Sequence, residues 1–113
     1  VRAFGVHPGG IMTPLQRHLE QEEMVALGWM DKDGQPTERV AKMFKTPTQG
    51  ASTSLWAATS PQLNDIGGVY CENCEVAAPT DDGKNARFIG VNDWAVDSEE
   101  ASRLWDETER MLS

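Results

Sequence analysis

Cations are scarce in this chain: ten Lys and Arg stand against eighteen Asp and Glu, a formal net charge of -8. A field of that sign repels phosphate backbones and anionic lipid surfaces, which argues against nucleic acid as a partner. No apolar run approaches the ~20 residues that a bilayer-crossing helix needs, so no membrane span is expected. The opening Val1-Arg2-Ala3-Phe4-Gly5-Val6 lacks the layout of a signal peptide, and a soluble cytoplasmic protein is the expectation. Metal and redox ligands are sparse as well. Cys71-Glu72-Asn73-Cys74 has no second pair to complete a zinc site, and the two histidines, His7 and His18, lie far off in sequence. Read as one strand, positions 71 and 74 point to opposite sheet faces. No metal site is expected, and both cysteines read as unmodified thiols with structural or incidental roles.

What is present suits a folded protein. Of the 113 residues, 39% are hydrophobic before the ten glycines are added, a composition for one globular domain with a modest core. Residues 1–6 read directly as a strand with no preceding tail, so the chain is expected to be cut from something longer. The strand ends at His7-Pro8-Gly9-Gly10, where proline removes an amide donor and glycine permits a sharp turn. Thr13-Pro14-Leu15-Gln16 then combines a capping hydroxyl, a proline at the first helical position and a glutamine closing a capping box. A helix should begin at Pro14 with Leu15, Leu19, Met24 and Leu27 on its apolar side, and the run of acids over 20–23 invites a break into two short helices.

Gly28 fits a helix stop, and residues 31–36 have the composition of an exposed turn. Thr46-Pro47-Thr48-Gln49 repeats the capping signature and opens a helix through Ala51, Leu55, Trp56 and Ala58 that Ser60-Pro61 stops. Gly67-Gly68 leads into a second strand over 69–76, followed by a polar turn over 80–85. Asp97 caps a last helix whose Ala101, Leu104, Trp105, Thr108, Met111 and Leu112 share one face. Glu99/Arg103 and Asp106/Arg110 are expected as ion pairs on the opposite, solvent side. Trp56 and Trp105 read as packing residues. The fold class is therefore α/β: two strands joined by a long helical connection should be parallel, through a right-handed crossover. Such a sheet has uncovered edges, so the chain is expected to want a neighbour, either the rest of its own domain or another subunit.

The order strand, His7-Pro8-Gly9-Gly10-Ile11-Met12-Thr13, helix resembles the loop after the sixth strand of short-chain dehydrogenases/reductases, where Pro-Gly is followed after three residues by Thr. Lys45-Thr46-Pro47-Thr48-Gln49-Gly50-Ala51, Ala57-Ala58-Thr59-Ser60-Pro61, Gly67-Gly68-Val69-Tyr70 and Arg103-Leu104-Trp105-Asp106 resemble the retinol-dehydrogenase-like branch. The resemblance covers nearly the whole chain. It implies the C-terminal part of a doubly wound Rossmann-type parallel sheet, with strands six and seven, a substrate lid over 15–44 and a C-terminal helix, and no second domain.

It also implies an NAD- or NADP-dependent enzyme acting on a small alcohol or carbonyl compound. Pro8, Gly9, Gly10, Ile11 and Thr13 would bind cofactor, the Ile11 amide and Thr13 hydroxyl holding the nicotinamide carboxamide. Judged without the resemblance, Thr13 reads more readily as an N-cap alone, and the two roles are compatible. Leu15, Trp29, Met30, Met43 and Phe44 would line an apolar substrate pocket, though the same side chains also suit an ordinary core. No catalytic residue falls in this sequence. Tyr70 is its one tyrosine and Cys74 stands four residues on, so no Tyr-x-x-x-Lys is present, and neither is the Gly-rich phosphate loop. The chain alone is accordingly expected to bind dinucleotide only very weakly, to retain no cofactor and to be inactive. Its partners would be the N-terminal half of the same enzyme or another copy of itself, since the seventh strand and the helix from Pro47 form a subunit interface in many family members. A stand-alone interaction protein derived from that fold is the alternative.

Overall fold

A computed structural model describes residues 1–80 and 89–113. Its elements are β1 (Phe4–His7), α1 (Gln21–Ala26), α2 (Glu38–Met43), α3 (Pro47–Thr59), β2 (Val69–Glu72), β3 (Glu75–Val76) and α4 (Ser98–Leu112), with 3-10 turns at Pro14–His18, Pro61–Leu63 and Asp93–Val96. They form two compact units, one of Val1–His7 with Thr53–Ser113 and one of Pro8–Ser52. α3 contributes its first half to the second unit and its remainder to the first.

The first unit is a three-stranded mixed sheet in the order β1-β2-β3. β1 and β2 are parallel, with Phe4 opposite Val69, Gly5 opposite Tyr70, Val6 opposite Cys71 and His7 opposite Glu72. Alternation along the strands turns Phe4, Val6, Val69 and Cys71 onto one core with Trp56, Ala57 and Leu63. On the other face the Tyr70 ring covers Gly5, where a Cβ would lie 3.0 Å from Cδ2, and stacks with His7 at a centroid distance of 6.5 Å. Burial, and secondarily the Glu72 carboxylate, push the Tyr70 hydroxyl above its ordinary pKa. Glu72 is itself buried and accepts a 2.7 Å hydrogen bond from the Gly90 amide.

Several elements match the sequence reading. The break between residues 18 and 21 occurs, and the first piece is a 3-10 turn rather than an α-helix. Gly28 has φ +71, as a helix stop requires. α3 runs from Pro47 to Thr59, opened by the reciprocal bonds Thr46 N–H to Gln49 Oε1 and Gln49 N–H to Thr46 Oγ1. Asp97 caps α4 by accepting from the Glu99 and Glu100 amides. α2 was not foreseen. Its cap is the Thr37 side chain, which accepts from the Val40 amide.

Four expectations are corrected. The first strand spans Phe4–His7, not residues 1–6, because pairing with β2 begins only at Phe4. The strand over 69–76 is instead a hairpin: Asn73 and Cys74 have φ +48 and +60, and Cys71 then faces Val76 across an antiparallel pair. The buried Thr53 hydroxyl stabilises that turn by accepting from the Cys74 amide at 3.2 Å. Cys71 and Cys74 thus lie on a strand and on a turn, and the opposite-faces argument does not apply to them. On α4 the described ion pairs are Arg103–Glu100 and Arg110–Glu107, both i,i+3, in place of the i,i+4 pairs. The apolar face of α4 lies open, with Leu104 69%, Trp105 67%, Met111 79% and Leu112 83% exposed, so Trp105 is not a packing residue here. The polar turn over 80–85 lies, from residue 81, outside the described residues.

Cys71 is fully buried and burial pushes its thiol above its ordinary pKa, whereas Cys74 is exposed on the turn. Less thiolate and no access both slow its reaction. Iodoacetamide at neutral pH should therefore alkylate Cys74 well ahead of Cys71, with the two rates converging in denaturant; equal rates in the native state would contradict this core.

Candidate functional site

The chain leaves β1 through Pro8 and turns at Gly9, whose φ of +93 is left-handed and favours glycine. Gly10 follows with a close neighbour of its own: a Cβ there would lie 2.9 Å from Phe44 Cε1. The Gly10 carbonyl accepts from the Lys45 amide at 2.8 Å, and Ile11 forms a parallel bridge with Lys45. Ile11 then seats its side chain on α3 at the buried Gly50, where a Cβ would stand only 2.1 Å from Cδ1. Its carbonyl accepts from Gln16 Nε2 at 3.0 Å. The loop is thereby tied on both sides, by ladder bonds to Lys45 and by packing on α3.

Thr13 closes the loop as the N-cap of the 3-10 turn. Its hydroxyl accepts from the Leu15 amide at 3.2 Å and donates to Gln16 Oε1 at 3.2 Å, while its own amide donates to the same Oε1 at 2.7 Å. A hydroxyl carries one proton and two lone pairs, so after these two bonds one acceptor position is left. Thr13 can cap its helix and still accept an N–H from a carboxamide. The turn at Gly9 and Gly10, against which the Lys45 and Phe44 side chains pack, leads to a donor-seeking hydroxyl that suits an amide-bearing group.

Among the expected substrate residues, the structure brings Trp29 and Phe44 together edge to face, with centroids 5.6 Å apart and planes at 68°. Phe44 also covers Gly10, so the aromatic pair abuts the loop. Met30 is half-buried and bridges to Pro36, in a turn held by the Thr37 hydroxyl on the Gly28 carbonyl at 2.7 Å. Leu15 and Met43 are 76% and 49% exposed and add little to an enclosed apolar surface. The reading by sequence missed Lys45 and Gly50 as loop partners. Gly50 had a signal, since a glycine inside a helix costs about 1 kcal/mol against alanine and so points to a close contact. Lys45 had none beyond its place before a cap. Both cysteine thiols are free, and among the described residues no group of three or more His, Cys, Asp or Glu is placed to hold a metal ion.

A parallel strand pair with a glycine turn leading from a strand end into a capped helical turn defines a piece of a Rossmann-type α/β sheet. The chain is 42% identical over 106 residues to a "Probable oxidoreductase" of Streptomyces lividans, covering 94% of this chain and 35% of that one. It is 37% identical over 113 residues to "Short-chain dehydrogenase/reductase prx1" of Penicillium roqueforti, covering 100% of this chain and 31% of the relative. Human "Retinol dehydrogenase 14" is 30% identical over 112 residues, covering 95% of this chain and 26% of the relative. The chain belongs to the short-chain dehydrogenase/reductase family, and spans about a third of the length of the curated relatives it matches. No family model and no solved structure matches it.

Replacing Gly50 with Ala should lower unfolding stability by about 1–2 kcal/mol, because overpacking against Ile11 outweighs the gain in helix propensity. Adding Ile11→Val, which removes the clashing methyl, should recover most of that loss in thermal melts. A neutral or stabilising Gly50→Ala would refute the close seat.

Proposed function

We propose that the chain is the C-terminal segment of an NAD- or NADP-dependent oxidoreductase acting on an alcohol or carbonyl compound, and that it supplies the nicotinamide-side loop, the substrate lid, the last strand and the C-terminal helix. The observation that carries this reading is the loop of residues 8–13, fixed by Lys45 and Gly50 and ending on a hydroxyl with one acceptor position left. The nicotinamide, when bound, supplies or takes up the hydride. Pro8, Gly9 and Gly10 shape the backbone against the ring, and the Ile11 amide and Thr13 hydroxyl orient its carboxamide. Trp29 and Phe44, with Met30 in the same segment, form the apolar substrate side, and Leu15 and Met43 border it as exposed side chains. The proton relay and the diphosphate cradle come from elsewhere in the complete enzyme, so this chain alone is inactive.

The open α4 face and the three-stranded sheet support a second element of the reading, association with the N-terminal half of the same enzyme or with another copy. A cytoplasmic location is part of the same proposal, and among the described residues no helix is long and apolar enough to cross a membrane. A purified, contaminant-free sample given NAD or NADP should turn over no alcohol, and sedimentation at micromolar concentration should find a dimer or larger assembly. Turnover would overturn the division of labour, and a stable monomer would overturn the association.

A further inference from the structure

Gln16 is half-buried against the loop and ties two of its residues together. Its Oε1 accepts from the Thr13 amide at 2.7 Å and from the Thr13 hydroxyl at 3.2 Å, while its Nε2 donates to the Ile11 carbonyl at 3.0 Å. These partners fix which way the side-chain amide points. Turned over, it would set its NH2 against the Thr13 N–H and its oxygen against the Ile11 carbonyl, losing both backbone bonds. The hydroxyl proton of Thr13 is thereby directed to Gln16, and the Leu15 amide takes one of its lone pairs at 3.2 Å. Thr13 offers a ligand an acceptor position alone.

An acceptor-only oxygen distinguishes ligands that a free hydroxyl would not. A threonine free to rotate can donate to a carboxylate as readily as it accepts from an amide. With its proton held, it still takes an N–H from a carboxamide. Against a carboxylate it sets lone pairs on lone pairs with no proton between them, the unmade bond that makes a polar site reject an analogue. We infer that Gln16 is a specificity-determining residue: by holding the Thr13 proton it makes the loop take a carboxamide in preference to the matching carboxylate, an inference that rests on residues 8–13 being the nicotinamide loop. Gln16 acts through Thr13 and is a positioning residue. The bonds that close the capping box are the same ones that set the choice of ligand.

Nicotinamide mononucleotide and nicotinic acid mononucleotide differ only in this group, and titration of each into the 113-residue chain, followed by the amide chemical shifts of residues 9–13, reads the preference. The wild type should bind the amide about tenfold more tightly at neutral pH. Gln16→Met removes the oxygen that holds the proton, so the acid should tighten about fivefold while the amide changes by less than about twofold. Loss of a mere cap would weaken both ligands together. Gln16→Glu keeps an acceptor and the capping box, and should keep the preference. The net charge of -8 disfavours the acid in the wild type and in Gln16→Met alike, so it drops out of that comparison. A preference that survives Gln16→Met, one lost there through weaker amide binding, one lost in Gln16→Glu, or none in the wild type overturns the inference and leaves the nicotinamide reading intact. Should Gln16→Met fail to fold, the wild type still decides. An analogue with a methyl ketone in place of the carboxamide has no N–H to give, and should bind about fivefold more weakly than the amide. Equal binding of those two overturns the inference. If neither mononucleotide shifts the amides of residues 9–13, both readings fall.

Discussion

The seat of Ile11 on Gly50 is the contact on which the unit of residues 8–52 turns. With any side chain at position 50, the Ile11 methyl would have to leave α3. The Gly10–Lys45 hydrogen bond and the Ile11–Lys45 bridge lie beside that contact and would move with it. Close packing leaves interiors little slack, so a displacement at Ile11 passes to Phe44 over Gly10 and from there to Trp29. One missing Cβ thus sets the shape of the loop and of the aromatic surface beside it.

Thr13 shows how an atom that caps a helix can keep one acceptor position for a ligand. Capping uses the hydroxyl proton and one lone pair, and the arrangement of Gln16 fixes which lone pair is left. A helix cap is then also a preoriented acceptor. The first unit is organised differently, around a buried strand pair in which Gly5 admits the Tyr70 ring on one face and Cys71 packs beneath α3 on the other.

Features coded within four residues were legible in the sequence. The boxes Thr13/Gln16 and Thr46/Gln49 and the Asp97 cap each depend on near neighbours, and all three form. The parallel pairing of the two main strands was legible because a long helical connection permits little else. The hairpin at Asn73–Cys74 was hidden, since Asn-Cys is a weak turn signal and its support comes from Thr53, twenty-one residues away. The choice of i,i+3 pairs on α4 was hidden as well, because Glu100 competes with Glu99 for Arg103 and Glu107 with Asp106 for Arg110. The spacing of α4 identified its apolar face correctly but could not say that this face lies open within the chain. Of the candidate site, the Pro8–Thr13 loop was legible as a motif, whereas Lys45 and Gly50 became partners only through the fold.

If the loop after β1 receives a nicotinamide ring at Thr13, ring protons and the Thr13 side chain come into contact. Transferred nuclear Overhauser effects suit a weakly bound ligand and report directly on which protons meet. With nicotinamide mononucleotide in excess over the chain, the account predicts magnetisation transfer from the Thr13 methyl and the Ile11 side chain to the nicotinamide ring protons. Transfer from other side chains alone, with none from Thr13 or Ile11, would contradict it.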